Sequence, residues 1–143
     1  MKNGGALLVE TLVNLGATKS FGVPGESYLP VLDALYDTQG QLDFVLCRNE
    51  GGASYMASAY GKLTGSPGIC LVTRGPGATN ASIGLHTAMQ DSSPMILFVR
   101  SGGLPYSRNF WPLAQLYRGQ RRVWAQWRPN RMPMSAMALR GWN

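Results

Sequence analysis

The chain has 143 residues, a net charge of +6, two cysteines and one histidine. That length suits one ordinary domain able to bury a core without disulfides or metals, and no apolar run approaches the roughly 18 residues of a membrane span. The charge does not mark the whole chain as a nucleic-acid binder: residues 1–91 carry five basic residues against seven acidic ones, whereas residues 92–143 carry eight arginines, no acid and all four tryptophans.

At the amino end, Glu10 breaks the apolar start MKNGGALLVETLV where a signal peptide would run on, so a cytoplasmic location is expected. Leu8, Leu12 and Leu15 fall on one face of a helix from Gly5 to Leu15, which Gly16 stops in the left-handed region. Phe21-Gly22-Val23 reads as a short strand, and Pro24-Gly25 turns the chain into a helix from about Glu26 to Tyr36. That helix is expected to bury Tyr28, Leu32, Leu35 and Tyr36, with Pro30 tolerated near its start. After Thr38-Gln39-Gly40, the run Phe44 to Cys47 is short and apolar enough to be a strand buried on both faces.

A helix from about Glu50 to Leu63 follows, with Ala53, Met56, Ala57 and Tyr60 on one face, broken by Gly65-Ser66-Pro67-Gly68. Ile69 to Thr73 is the next buried strand. The turn Gly75-Pro76-Gly77 leads to a helix from about Ala78 to Gln90, with Ala81, Leu85, Ala88 and Met89 aligned. Met95 to Val99 is a further strand, expected as an exposed edge that invites a partner or aggregation. Strands alternating with single helices predict the α/β class, a parallel sheet with flanking helices. Cys47 and Cys70 fall inside these strands and are expected as buried, reduced thiols, not a bridge or a metal site.

From residue 100 the pattern changes. Pro105, Pro112, Pro129 and Pro133 stand among arginine, tryptophan and glutamine with no sustained period of 2 or 3.6, so residues 1–99 are expected as the domain and residues 100–143 as an irregular tail. Arginine without lysine, with tryptophan and no acid, is what GC-rich coding DNA yields out of frame. A frameshift origin for this tail is therefore expected.

In open α/β sheets the groups at the carboxyl ends of strands line the ligand crevice. Arg48, Asn49 and Glu50 and the segment from Arg74 to Asn80 should meet there. Taken alone, Glu50 reads as an acid at a helix start beside the cap Asn49, and Asn80 equally well as a polar group satisfying helix donors. Gly75-Pro76-Gly77 lacks the Gly-Lys-Ser/Thr ending of a phosphate loop. His86, alone, has no second ligand at metal spacing and reads as structural, facing solvent or a partner subunit.

Four segments together carry more. Phe21-Gly22-Val23-Pro24-Gly25-Glu26, Arg48-Asn49-Glu50-Gly51-Gly52-Ala53, Gly75-Pro76-Gly77-Ala78-Thr79-Asn80 and Asp91-Ser92-Ser93-Pro94, in this order across residues 5–99, resemble the N-terminal pyrimidine-binding domain of thiamine diphosphate enzymes, above all acetolactate synthase. The resemblance implies that Glu50 hydrogen-bonds the aminopyrimidine of thiamine diphosphate, favouring the tautomer that takes the thiazolium proton. It places Val23, Pro24, Pro76 and Asn80 against the same ring. A carboxyl at a strand end among small residues is stripped of water, which favours its protonated form and suits it to sharing a proton. Gly51, Gly52 and Ala53 are expected to leave room for the ring. Many relatives have His-Glu-Gln where this chain has Asn49-Glu50-Gly51, a departure that keeps the glutamate and leaves the acceptor preference open.

Family members hold the diphosphate and magnesium through a separate domain with a Gly-Asp-Gly…Asn pattern, and the synthase adds a flavin-binding domain for FAD. Neither pattern stands in these residues, so the resemblance implies half of a cofactor site, with no metal site, that is inactive without a diphosphate-binding domain from another chain. The implied activity is decarboxylation and carboligation of 2-keto acids, by a homo- or hetero-oligomer. A subunit of a split decarboxylase is the first alternative. The second and weaker alternative is a nucleic-acid-binding module built on Arg108, Arg118, Arg121, Arg122 and Arg128 with Trp111, Trp124 and Trp127.

Overall fold

A computed structural model describes residues 3–100, 113–118 and 121–126. Four strands, β1 (Lys19–Gly22), β2 (Asp43–Leu46), β3 (Gly68–Thr73) and β4 (Met95–Arg100), form a parallel sheet in the order β2-β1-β3-β4. Helix α1 (Gly4–Asn14) precedes β1, and α2 (Leu29–Asp37), α3 (Glu50–Thr64) and α4 (Arg74–Gln90) connect the strands. The expected α/β architecture is present, and its parallel ladders need the helical crossovers that the alternation supplies.

Helices cover both faces of the sheet. Central strand β3 divides its side chains with period two: Cys70 and Val72 pack with Ala53 and Ala57 of α3 and Ala81 and Ala88 of α4, while Ile69 and Leu71 pack with Val9, Leu12, Val31 and Leu35 of α1 and α2. Cys70 is wholly buried, and burial pushes its thiol from the usual 9 up to about 12. Both cysteines are free and buried, as expected. The unfolded chain ionises Cys70 first on raising the pH. Its contribution to stability is therefore complete below about pH 9 and is lost as the pH climbs from there toward 12. Urea unfolding midpoints should fall across that window, and Cys70→Ala should flatten the fall relative to the parent.

Several expectations need correction. Strand β2 is not buried on both faces; it is a sheet edge, with Leu46 66% exposed. Glu26–Tyr28 is a 3₁₀ turn, and α2 begins only at Leu29, so Pro30 stands in the first turn, where its missing N–H costs nothing. With the helix starting later, Val31, Ala34 and Leu35 face inward, Leu32 is half-buried, and Tyr36 is exposed. In α1 the buried stripe is Gly5, Val9 and Leu12, while Leu15 lies past the helix end in solvent. Met56 is exposed too. Gly75-Pro76-Gly77 is not a separate turn: α4 follows β3 directly, and the reversal falls on Arg74, whose φ is +57°.

Beyond β4, the part of the tail expected to be irregular contains β5 (Leu113–Arg118) and β6 (Arg121–Gln126), paired antiparallel. Leucine, tyrosine, valine and tryptophan suit strands, although the runs are too short to show a period. Residues 101–112, 119–120 and 127–143, with much of the frameshift reading and four of the eight residues of the nucleic-acid reading (Arg108, Trp111, Trp127 and Arg128), lie outside the described residues. Among the described residues, no helix is long and apolar enough to cross a membrane.

Candidate functional site

The site is built where α3 and α4 begin. Asn49 has the extended backbone of a helix cap, and its Oδ1 accepts from the amides of Gly51 at 2.8 Å and Gly52 at 3.4 Å. The cap fixes Glu50 as the first helical residue. From the second turn of α4, Asn80 Nδ2 donates to Glu50 Oε2 at 3.0 Å. A Cβ placed on Gly77 would stand 3.5 Å from Glu50 Oε1 and 3.7 Å from its Cγ, so the carboxyl lies over the first turn of α4, the turn that contains Pro76. Glu50 and the 74–80 segment therefore meet as expected, although β1 separates their two strands in the sheet.

The carboxyl is half-buried instead of enclosed, which corrects the expectation of a fully desolvated group. Asn80 does not satisfy helix donors; its amide reaches thirty residues back to Glu50. The small residues after Glu50 also divide their work differently from the expectation. Gly51 and Ala53 are buried, and a Cβ on Gly51 would come within 3.3 Å of the Asn80 carbonyl oxygen, so these positions serve the packing of α3 on α4. Gly52 alone borders open space, with nothing within 4 Å of a Cβ there.

Val23 and Pro24 form the loop after β1. Val23 is half-buried against the core cluster that contains Ala53 and Cys70, and Pro24 is exposed. Tyr28, itself buried, donates its hydroxyl to the Val23 carbonyl. Burial holds the Tyr28 phenol protonated well above its ordinary range, and the charge of Glu50 adds a smaller push in the same direction.

Sequence reasoning did not find what anchors this loop. Arg74 Nη2 lies 2.6 Å from Glu26 Oε1, and the hydroxyls of Ser27 and Thr73 are hydrogen-bonded. The two charges stand 48 residues apart, beyond the reach of any local pattern. His86 is exposed on α4. Among the described residues, no group of three or more His, Cys, Asp or Glu is placed to hold a metal ion.

The family described as thiamine pyrophosphate enzyme, N-terminal TPP binding domain, matches residues 2–120. The chain belongs to this family. The match runs on past Pro94, where the last of the four motifs ends, and past residue 99, the expected end of the domain. Over 97 residues the chain is 42% identical to the mitochondrial acetolactate synthase catalytic subunit of Aspergillus candidus, covering 68% of this chain and 14% of that protein. It is 41% identical over 104 residues to the acetolactate synthase isozyme 2 large subunit of Escherichia coli, covering 73% and 19%. With the acetolactate synthase of Bacillus subtilis it shares 45% identity over 97 residues, covering 67% and 17%. The chain thus spans less than a fifth of each of these relatives and is a TPP-binding N-terminal domain of the acetolactate-synthase-like kind.

Proposed function

We propose that this domain forms the pyrimidine side of a thiamine diphosphate site in an enzyme that decarboxylates 2-keto acids and joins the product to a second carbonyl. The single observation that carries the reading is the Glu50 carboxyl, half-buried at a strand end and held by Asn80 over the first turn of α4. Family membership and the synthase relatives supply the rest of the support.

The residues present fit a flat heterocycle with a basic ring nitrogen. Asn80 engages Oε2, which leaves Oε1 to give or take a proton at the ring. Space beside the carboxyl comes from Gly77, which has no side chain to crowd Oε1, and from the open surface at Gly52. Val23 and Pro24 on one side, and Pro76 on the other, offer apolar walls of low conformational freedom that orient a ring and exclude water from its faces. When bound, thiamine diphosphate supplies an acidic thiazolium carbon able to attack a keto acid. The part of this chain is to bind and orient the pyrimidine and to hold its proton at Glu50.

In this reading the diphosphate, its magnesium ion and any FAD are held by domains other than this one. A second subunit completes the slot, so this domain by itself is inactive and binds the cofactor weakly. Titration of the full chain with thiamine diphosphate and magnesium tests this. Weak saturable heat is expected for the wild type, strengthened by a chain bearing the diphosphate domain and reduced in Glu50→Gln. Equal heats for wild type and Glu50→Gln, with or without the second chain, overturn the reading.

A further inference from the structure

We propose that Arg74 is a positioning residue: its tie to Glu26 sets the distance between the Val23–Pro24 wall and the Pro76–Asn80 wall of the slot, an inference that rests on the pyrimidine-site reading. The starting observation is the backbone. Arg74 has a φ of +57°, a conformation that crowds the Cβ of an L-residue and is most easily held by glycine. Glycine stands at 75 and again at 77 but not here. An L-residue held in a backbone conformation that disfavours it points to use of its side chain, and this side chain ends 2.6 Å from the Glu26 carboxylate.

Two further contacts lie beside the pair. The Ser27 and Thr73 hydroxyls are bonded to each other, and Gly25 sits so close to Thr73 that a Cβ would come within 2.7 Å of its Cγ2. Three successive loop residues, 25, 26 and 27, therefore touch residues 73 and 74, and the Tyr28 hydroxyl fixes the near end of the loop through the Val23 carbonyl. Arg74 also opens α4, three residues before Gly77 and six before Asn80. The loop with Val23 and Pro24 and the helix start with Pro76 are thus joined at one point. An exposed ion pair is weak alone and weakened by salt, so the tie adjusts the slot and does not hold the fold.

The test uses the full chain as wild type, Arg74→Met, and the reversed pair Glu26→Arg with Arg74→Glu. Amide hydrogen exchange without ligand should speed up at residues 23–28 in Arg74→Met by up to about fivefold, with β3 unchanged, and thiamine diphosphate affinity should fall by a similar factor. The reversed pair should restore both. Unchanged exchange at 23–28, acceleration spread over the whole domain, or no recovery in the reversed pair overturns the tie. If exchange responds and recovers but the wild type binds no thiamine diphosphate, the cofactor reading has failed, and the role of the tie in the slot falls with it.

Discussion

Glu50→Gln is expected to lower turnover by about 10²–10⁴-fold in an assembly that includes the diphosphate-binding domain, the range lost when a positioned acid–base group is removed. Glutamine keeps the length and the shape, and its carbonyl oxygen can still accept from the Asn80 amide that now lies 3.0 Å from Oε2. What it cannot do is hold a transferable proton. Stability should hardly change, since an acid in the first turn of a helix contributes only about 0.3–1 kcal/mol. The measurement is the rate at which the thiazolium proton of bound cofactor exchanges with deuterium, followed by NMR at quenched time points. A Glu50→Gln assembly that exchanges as fast as the parent would remove Glu50 from the proton path.

Gly84→Ala is expected to damage the fold and the site together. Gly84 lies where α4 crosses α3, and an added Cβ would stand 2.2 Å from Ser54 Oγ and 2.6 Å from the Ser54 carbonyl carbon. Rotating the hydroxyl away relieves the first clash; only moving a helix relieves the second. The buried residues at the seam are small, with Gly51, Ser54 and Ser58 on α3 and Gly77, Ala81, Gly84 and Ala88 on α4, and the atoms nearest the added Cβ all belong to Ser54, so no long side chain is there to give way. Overpacking of this kind costs about 1–3 kcal/mol, against the roughly 5–15 kcal/mol that holds a domain folded. Asn80 is one turn away on the same helix, so the displacement carries it off Glu50. Urea unfolding should show the lower midpoint, and the fraction that remains folded should bind thiamine diphosphate more weakly than the wild type. A midpoint within error of the parent would contradict the close packing of the seam.

Much of this was legible in the sequence, because local patterns write helices and strands directly. The left-handed Gly16 after α1, the run that became β3 and the cap at Asn49 needed only neighbours within a few residues. Sheet order is not local, so the edge position of β2 and the exposure of Leu46 could not be read from a four-residue apolar run. Tyr36 was misplaced for a related reason: the 3₁₀ turn ahead of Pro30 rotated the helix relative to the expected face. At the site, the pairing of the Glu50 and Asn80 segments followed from strand-end geometry, but the use of Gly51 and Ala53 did not. Small residues suit a ligand and a close helix crossing equally well, and only the position of the second helix decides between them. The Arg74–Glu26 pair left no trace in composition or spacing.

The most direct measurement of the central claim is an amide shift map of the full chain titrated with thiamine diphosphate and magnesium. The account predicts saturable shifts confined to Val23, Glu50 and residues 77–80, with the Asn80 side-chain amide among them, and their loss in Glu50→Gln. Shifts that gather elsewhere in the chain, or that persist unchanged without the Glu50 carboxyl, would contradict it.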